Sequence, residues 1–251
     1  MKHLFCRSGR LALEAALRAQ PLLAFDFDGT LAPIVERPDD AHVSAALAQR
    51  LDRLAQLRPL AIITGRSVAD VVHRLGFMPR FIVGNHGAEV PGQKPTFDIA
   101  PLDALRARIR AHAGELRAAR IRVEDKRYSL ALHYRRALDP RQALAQIEVL
   151  CAGLDPALRF FGGKFVVNAV LEDAPDKGDA VVSLVQRASC GTAVFVGDDI
   201  NDEAVFERAP PNWLTIRVGH DDAASRAAFY VNDHDEIAEL LDDSLRVLES
   251  L

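Results

Sequence analysis

The stretch Leu22-Leu23-Ala24-Phe25-Asp26-Phe27-Asp28-Gly29-Thr30 constrains this chain more than any other. It opens as an apolar run, the pattern of a buried strand. It closes on two aspartates two residues apart, followed by glycine. Side chains at i and i+2 of a strand share a face, so Asp26 and Asp28 come together where the strand runs out. Gly29 lets the backbone turn sharply there. Carboxylates that close repel each other and require a compensating cation. An all-oxygen set on such a scaffold suits a hard ion, Mg²⁺.

Downstream of this stretch the pattern repeats. Ser44 opens a helix with Leu47, Leu51 and Leu54 on one face, and Arg58-Pro59 ends it. Leu60 to Ile63 is a second apolar strand, closed by Thr64-Gly65-Arg66. Ser67 with Asp70 is a capping-box pattern for the next helix. Phe81-Ile82-Val83 is a third strand, followed by Asn85-His86-Gly87-Ala88-Glu89. Strands alternating with helices require a parallel sheet with helices on its faces. Such sheets bind ligands at the carboxyl ends of their strands, where Asp26, Asp28, Thr64, Asn85 and His86 all fall.

The character of the chain then changes. Pro91, Gly92, Pro95 and Pro101 punctuate a linker. A helix is expected over 102–119, and half-exposed antiparallel strands over 121–126 and 129–135. A helix follows over 139–152. Phe160 to Gly163 turns out of a short strand, and a further strand spans Lys164 to Val170. After Glu172 to Pro175 the first pattern resumes, with a helix from Asp176-Lys177-Gly178-Asp179. A buried strand from Ala193 to Val196 then ends in Gly197-Asp198-Asp199-Ile200-Asn201-Asp202. A strand at Leu214 to Val218 and a helix capped by Asp233 and Glu236 complete the chain. The expected fold class is therefore α/β: a Rossmann-like parallel-sheet core with helices on both faces, plus an inserted α+β cap domain. The core takes 1–98 and 171–251, and the cap 99–170.

Composition narrows the class of partner. At 251 residues, with 49% hydrophobic and 26% charged residues, the chain has enough apolar material for a sizeable core. Its net charge of −4 comes with no long run of one sign, so nothing in it suggests nucleic acid or a membrane surface as the main partner. No stretch approaches the roughly 20 apolar residues of a membrane span. The opening segment carries Lys2, Arg7, Arg10, Glu14 and Arg18 and reads as a short packing helix rather than a signal core. Cys6, Cys151 and Cys190 are widely spaced and read as reduced thiols of a cytoplasmic protein. Oligomeric state is left open.

Four polar groups thus converge on one sheet edge. A carboxylate beside a bound metal can attack phosphorus, and a neighbouring carboxylic acid can protonate the leaving alcohol and then activate water. Thr64 can hydrogen-bond a phosphoryl oxygen and Lys177 can neutralise its charge, while Asp198 and its neighbours Asp199 and Asp202 can hold the metal. Phosphoryl transfer asks for little more than positioning and charge neutralisation.

This ordered set resembles the four motifs of the haloacid dehalogenase superfamily of aspartate-nucleophile phosphatases. The resemblance implies Asp26 as nucleophile, Asp28 as general acid/base, and Thr64 and Lys177 as the second and third motifs. It also implies Mg²⁺ held by Asp26, by the main-chain carbonyl of Asp28 and by a fourth-motif aspartate among Asp198, Asp199 and Asp202. An insertion between Thr64 and Lys177 resembles the class whose α+β cap closes over sugar phosphates. Asn85 to Glu89, Glu124-Asp125-Lys126 through Leu132-His133-Tyr134-Arg135, and Gly163 to Val167 are similar to the trehalose-6-phosphate phosphatase family. That likeness implies hydrolysis of trehalose 6-phosphate, with Glu124 and Lys126 contacting the sugar; His133 is a further candidate that reads equally as a core-edge histidine. Gly65, Arg66, Asn85 and His86 lie near enough to the strand ends to touch phosphate or sugar. The chain departs from the pattern at Asn168, where the family usually has Glu. An amide has one acceptor oxygen where a carboxylate has two, so another glycosyl phosphate is the alternative substrate.

Overall fold

The computed structural model describes every residue except Glu36, Lys164 and Ala223. The chain divides into two compact units, one made of Met1–Gly92 and Pro175–Leu251, the other of Gln93–Ala174.

The first unit opens with β1 (Lys2–His3), α1 (Arg7–Arg18) and β2 (Leu22–Phe25), continues through α2 (Ala45–Leu57) and β3 (Leu60–Ile63), and then forms α3 (Val68–Leu75) and β4 (Phe81–Val83). The second unit runs α4 (Ala100–Ala111), α5 (Ala113–Ala118), β5 (Arg122–Asp125), β6 (Ser129–His133), α6 (Pro140–Cys151), β7 (Leu158–Gly163) and β8 (Val166–Leu171). The chain then returns to the first unit with α7 (Lys177–Arg187), β9 (Ala193–Gly197), α8 (Glu203–Arg208), β10 (Leu214–Val218), β11 (Phe229–Val231) and α9 (Asp235–Leu248).

In the first unit seven strands form one sheet in the order β1-β11-β10-β9-β2-β3-β4, every neighbouring pair parallel. All residues of β2, β3, β9 and β10 are buried, as strands covered on both faces must be. Alternation divides them between two cores. Leu23, Phe25, Leu60, Ile62, Val194 and Val196 pack with Leu13 and Leu17 of α1, Leu47, Leu51 and Leu54 of α2, and Leu240 and Leu241 of α9. Leu22, Ala24, Ala61, Ile63 and Phe195 pack on the other face with Val181 and Leu184 of α7 and Phe206 of α8. Successive strands step outward from β2 to β4 on one side and from β9 to β11 on the other. The order therefore switches between β2 and β9, where such sheets hold their ligands.

In the second unit β5-β6-β8-β7 form an antiparallel sheet. Val123, Leu130, Leu132, Leu158, Phe160, Val167, Ala169 and Leu171 point to one face and pack with Leu102 and Leu105 of α4 and Ala143 and Ile147 of α6. Glu124, Ala131, Asn168 and Phe161 are direct partners across the four strands and therefore share the opposite face.

Four details differ from the sequence reading. The helix expected over 102–119 breaks at His112 (φ −104°, ψ 15°), with the poor helix former Gly114 just beyond. The edge strand β1 and its neighbour β11 are two and three residues long, too short to show a pattern in sequence. Ser67 caps α3 by accepting the Asp70 amide, while the Asp70 carboxylate turns to Arg66 and Arg74. The strand expected to begin at Lys164 is described from Val166, Lys164 itself lying outside the described residues.

Candidate active site

β2 sets the centre of the site. The Asp26 amide donates to Val196 O of β9 at 2.9 Å, extending the ladder one residue past the strand and fixing where its side chain emerges. At Gly29 (φ +87°) the backbone turns against the Asp198 carboxylate, and any Cβ there would strike it. Gly197 is under the same constraint, because its α-carbon lies against the Asp202 carboxyl group. These two glycines let the chain ends of β2 and β9 close on each other.

The result is a buried cluster. Asp26, Asp198 and Asp202 each present a carboxylate oxygen within 4.8 Å of the others, a group that can hold a metal ion. Lys177, the first residue of α7, sends Nζ to Asp26 Oδ1 and Asp202 Oδ1, both at 2.6 Å. It is placed there by a capping box, in which Asp176 accepts the Asp179 amide and Asp179 accepts the Asp176 amide. Thr30 Oγ1 donates to Asp198 Oδ1 at 3.4 Å.

Burial pushes the Asp26 carboxyl well above the usual range, Lys177 opposes this, and Asp202 and Asp198 add to the rise. Burial and then Asp202 push Asp198 up to about 7, against the pull of Lys177. Burial also works against the charge of Lys177, but Asp202 and Asp26 more than restore it and hold the ammonium above its ordinary value. Three carboxylates thus share one ammonium in a buried space. A hard divalent cation suits this all-oxygen set by charge and by donor type. Asp202 already spends Oδ1 on Lys177 and Oδ2 on the Asp199 amide at 3.0 Å. Asp26 and Asp198 are therefore the carboxylates with oxygens to turn toward such an ion.

The other expected residues take various places. Thr64 is fully buried at the end of β3, and its Oγ1 accepts the Arg66 amide at 3.1 Å. Gly65 lies under the His86 ring, which a side chain at Gly65 would strike. Asn85 is buried and His86 half-buried in the turn after β4. The carboxylate of Asp28 stands outside the metal-competent cluster, gripped by Arg66 through Nε at 2.8 Å and Nη2 at 2.7 Å. Arg66 was expected to meet substrate. In this structure it also donates to Asp70 at 2.7 Å and to Pro38 O at 2.9 Å. Asp199 was expected among the metal ligands, but its carboxylate closes its own turn by accepting the Ile200 amide at 2.7 Å and Asn201 Nδ2 at 3.0 Å.

In the second unit, the expected sugar ligands occupy the sheet face left uncovered by α4 and α6. Glu124 Oε2 meets His133 Nε2 at 2.9 Å. The His133 hydrogen bond holds the Glu124 carboxyl below its ordinary value, burial opposes, and the Lys126 charge assists. Asn168 shares a row with Glu124, Ala131 lying between them. Two contacts escape the sequence reading: Asp70 orders Arg66, and Glu89 ties the turn after β4 to α3. Asp70 is legible in sequence only as a cap, and the one cue for Glu89 is the Asn-His-Gly turn just before it.

Comparison with known proteins bears on this site. A family model described as trehalose-phosphatase matches residues 24–235. The trehalose-phosphate phosphatase of Mycobacterium ulcerans is 33% identical over 236 residues, which cover 88% of this chain and 60% of the relative. That of Mycobacterium tuberculosis H37Rv is 32% identical over 251 residues, covering 94% and 64%. The chain thus spans between 60% and 64% of the length of these curated relatives. Among solved structures, the C-terminal domain of C. albicans trehalose-6-phosphate phosphatase superposes with a TM-score of 0.76 at 22% identity, covering 94% of this chain and 96% of that one. A trehalose-6-phosphate phosphatase related protein gives 0.73 at 24% identity, covering 91% and 99%. At these identities the two structures speak for the fold.

Proposed function

The chain belongs to the trehalose-phosphatase family, and from that premise we propose that it is a cytoplasmic, Mg²⁺-dependent phosphatase that hydrolyses trehalose 6-phosphate to trehalose and phosphate. The observation that carries the reading is Lys177, 3% exposed, bridging Asp26 and Asp202 at 2.6 Å beside Asp198. A buried lysine at the switch point of a parallel sheet, amid carboxylates, is an arrangement for neutralising a phosphoryl group.

In this reading an Asp26 carboxylate oxygen attacks phosphorus and the bond to the sugar oxygen breaks. Asp28 gives a proton to that oxygen, so trehalose leaves as the alcohol and an aspartyl phosphate remains on Asp26. Asp28, now a base, takes a proton from water as the water oxygen attacks phosphorus. Phosphate leaves and the Asp26 carboxylate is regenerated. Thr64 Oγ1, which accepts from the Arg66 amide, keeps its own hydrogen to donate to a phosphoryl oxygen. Lys177 offsets the charge on the same group. A divalent cation held by Asp26 and Asp198 would supply further charge neutralisation. Glu124, Lys126 and His133 would receive the sugar hydroxyls.

Phosphate release from a panel of sugar phosphates, with and without Mg²⁺, tests this reading. Trehalose 6-phosphate should be the best substrate. Asn168 favours a second reading, a phosphatase of the same kind tuned to another glycosyl phosphate, which the same panel would identify.

A further inference from the structure

Glu89 has no part in the chemistry above, yet two loops of the site meet on its carboxylate. Its Oε2 accepts from the Val68 main-chain N–H at 2.9 Å and from Asn85 Nδ2 at 2.7 Å. Its main chain exchanges both hydrogen bonds with Gly84, Gly84 N to Glu89 O at 2.9 Å and Glu89 N to Gly84 O at 3.0 Å. The turn from Asn85 to Gly87 is thereby closed on itself and fastened to the first turn of α3.

This turn needs fastening. Asn85 (φ 51°) and His86 (φ 59°) are successive left-handed residues that are not glycine, and Gly87 follows at φ 121°. Left-handed backbone costs an L-residue free energy, and it persists only where surrounding structure over-determines it. What the turn packs against shows its use. The His86 amide donates to Thr64 O at 2.9 Å and the Asn85 amide to Arg66 O at 2.8 Å, while the His86 ring lies on Gly65. At the other end, a Cβ on Gly87 would strike the main chain of Pro175 and Asp176, immediately before Lys177. The turn therefore spans from the Thr64 loop to the start of the helix that carries Lys177.

We propose that Glu89 is a positioning residue: it fixes the left-handed turn and, through it, the spacing of Thr64 and Lys177. The proposal rests on the reading above, in which those two side chains receive the phosphoryl oxygens. Both donors converge on one Glu89 oxygen, so the geometry uses an acceptor with two lone pairs rather than a charge. A glutamine amide oxygen meets that need.

Glu89→Gln and Glu89→Met separate the possibilities. The readouts are amide hydrogen exchange at Val68, Asn85 and His86, the calorimetric dissociation constant of inorganic phosphate in the presence of Mg²⁺, and kcat/KM. Glu89→Gln should match the wild type in all three. Glu89→Met should expose the three amides and weaken phosphate binding by about tenfold or more, since small misplacements at such sites are costly. Its kcat/KM should fall by a similar factor for trehalose 6-phosphate and for p-nitrophenyl phosphate, which share the phosphoryl site. A loss of folded protein lowers activity but leaves a dissociation constant unchanged, so a purely structural role is distinguishable. Wild-type phosphate affinity in Glu89→Met, or equal damage in both variants, overturns the proposal. A wild type that binds phosphate but turns over no ester sinks the phosphatase reading instead, and the exchange and binding measurements still decide the role of Glu89.

Discussion

Arg66 takes both carboxylate oxygens of Asp28 in a planar fork, Nε at 2.8 Å and Nη2 at 2.7 Å. The guanidinium is itself fixed by Asp70 and Pro38 O and lies 5.3 Å from the centre of the Phe27 ring. The Asp28 side chain is 44% exposed, so one end of the pair is wet and the other locked. Each Asp28 oxygen spends one lone pair on the fork and keeps another, so in the proposed reading Arg66 holds Asp28 in the pose from which it can act as an acid.

The first prediction follows from that pair. Lysine cannot reproduce a bidentate fork, so Arg66→Lys leaves Asp28 without a fixed pose. General acid catalysis matters for an alkoxide leaving group and little for nitrophenolate. Since such catalysis is worth ~10²–10⁴-fold, a part of that factor should be lost for trehalose 6-phosphate and spared for p-nitrophenyl phosphate. The ratio of the two kcat/KM values is the measurement, and an unchanged ratio removes Arg66 from the positioning of Asp28.

The second prediction concerns nucleophile and metal. An amide at position 26 neither attacks phosphorus nor balances a cation, so Asp26→Asn should abolish turnover with the circular dichroism spectrum retained. Excess chelator should silence the wild type and added Mg²⁺ restore it. Full activity under chelation argues against the metal, and activity in Asp26→Asn against the nucleophile.

Stability supplies the third. Lys177 and Asp202 are 3% and 0% exposed, and breaking a buried pair by removing one partner typically costs ~3–5 kcal/mol. Lys177→Met should lower the unfolding free energy by about that much. Asp26→Asn in the Lys177→Met background should recover part of the loss, because a neutral amide no longer repels Asp202. Denaturant titration of the four proteins gives the coupling between Lys177 and Asp26, and strict additivity would mean that these two do not interact.

The fourth uses pH. Glu124 has a folded-state pKa lowered from 4.5, chiefly by the His133 hydrogen bond. A lowered carboxyl contributes stability that is present above its unfolded value and is lost as pH falls through the folded value. Glu124→Gln should therefore unfold at a lower temperature than the wild type near pH 6, and the gap should shrink below about pH 4. A gap that persists in acid means that the residue acts by packing alone.

The sheet and its polar edge are readable because apolar runs of four or five residues mark strands buried on both faces, and their polar ends must share one edge. The convergence of Asp26, Thr64, Lys177 and Asp198 follows from topology alone. Side-chain pairings do not follow in that way. Nothing in the order Asp28, Arg66, Asp70 says that the arginine will bind the two acids rather than a ligand. Nothing in Asp198-Asp199 says which of two adjacent carboxylates turns inward, since neighbours along an extended backbone point opposite ways. The register of β5, β6 and β8, which puts Glu124 and Asn168 in one row, depends on hairpin geometry that no motif records.

The last prediction tests that row. Asn168 stands two strands from Glu124, about 10 Å away across Ala131. A hexose can span such a distance, with hydroxyls reaching both side chains and Ala131 leaving room between them. A carboxylate at Asn168 accepts charge-assisted hydrogen bonds roughly twice as strong as neutral ones. Its own repulsion of Glu124 is weak at this range and is further offset by His133 and Lys126. Asn168→Glu should therefore lower KM for trehalose 6-phosphate by about fivefold, near 1 kcal/mol. It should leave p-nitrophenyl phosphate unaffected, because that ester has no sugar to bind. The measurement is kcat/KM for both esters in both proteins. If Asn168→Glu instead damages trehalose 6-phosphate turnover and the wild type prefers another glycosyl phosphate, the row is tuned to that sugar. The substrate assignment then falls, while the phosphatase chemistry at Asp26 is untouched.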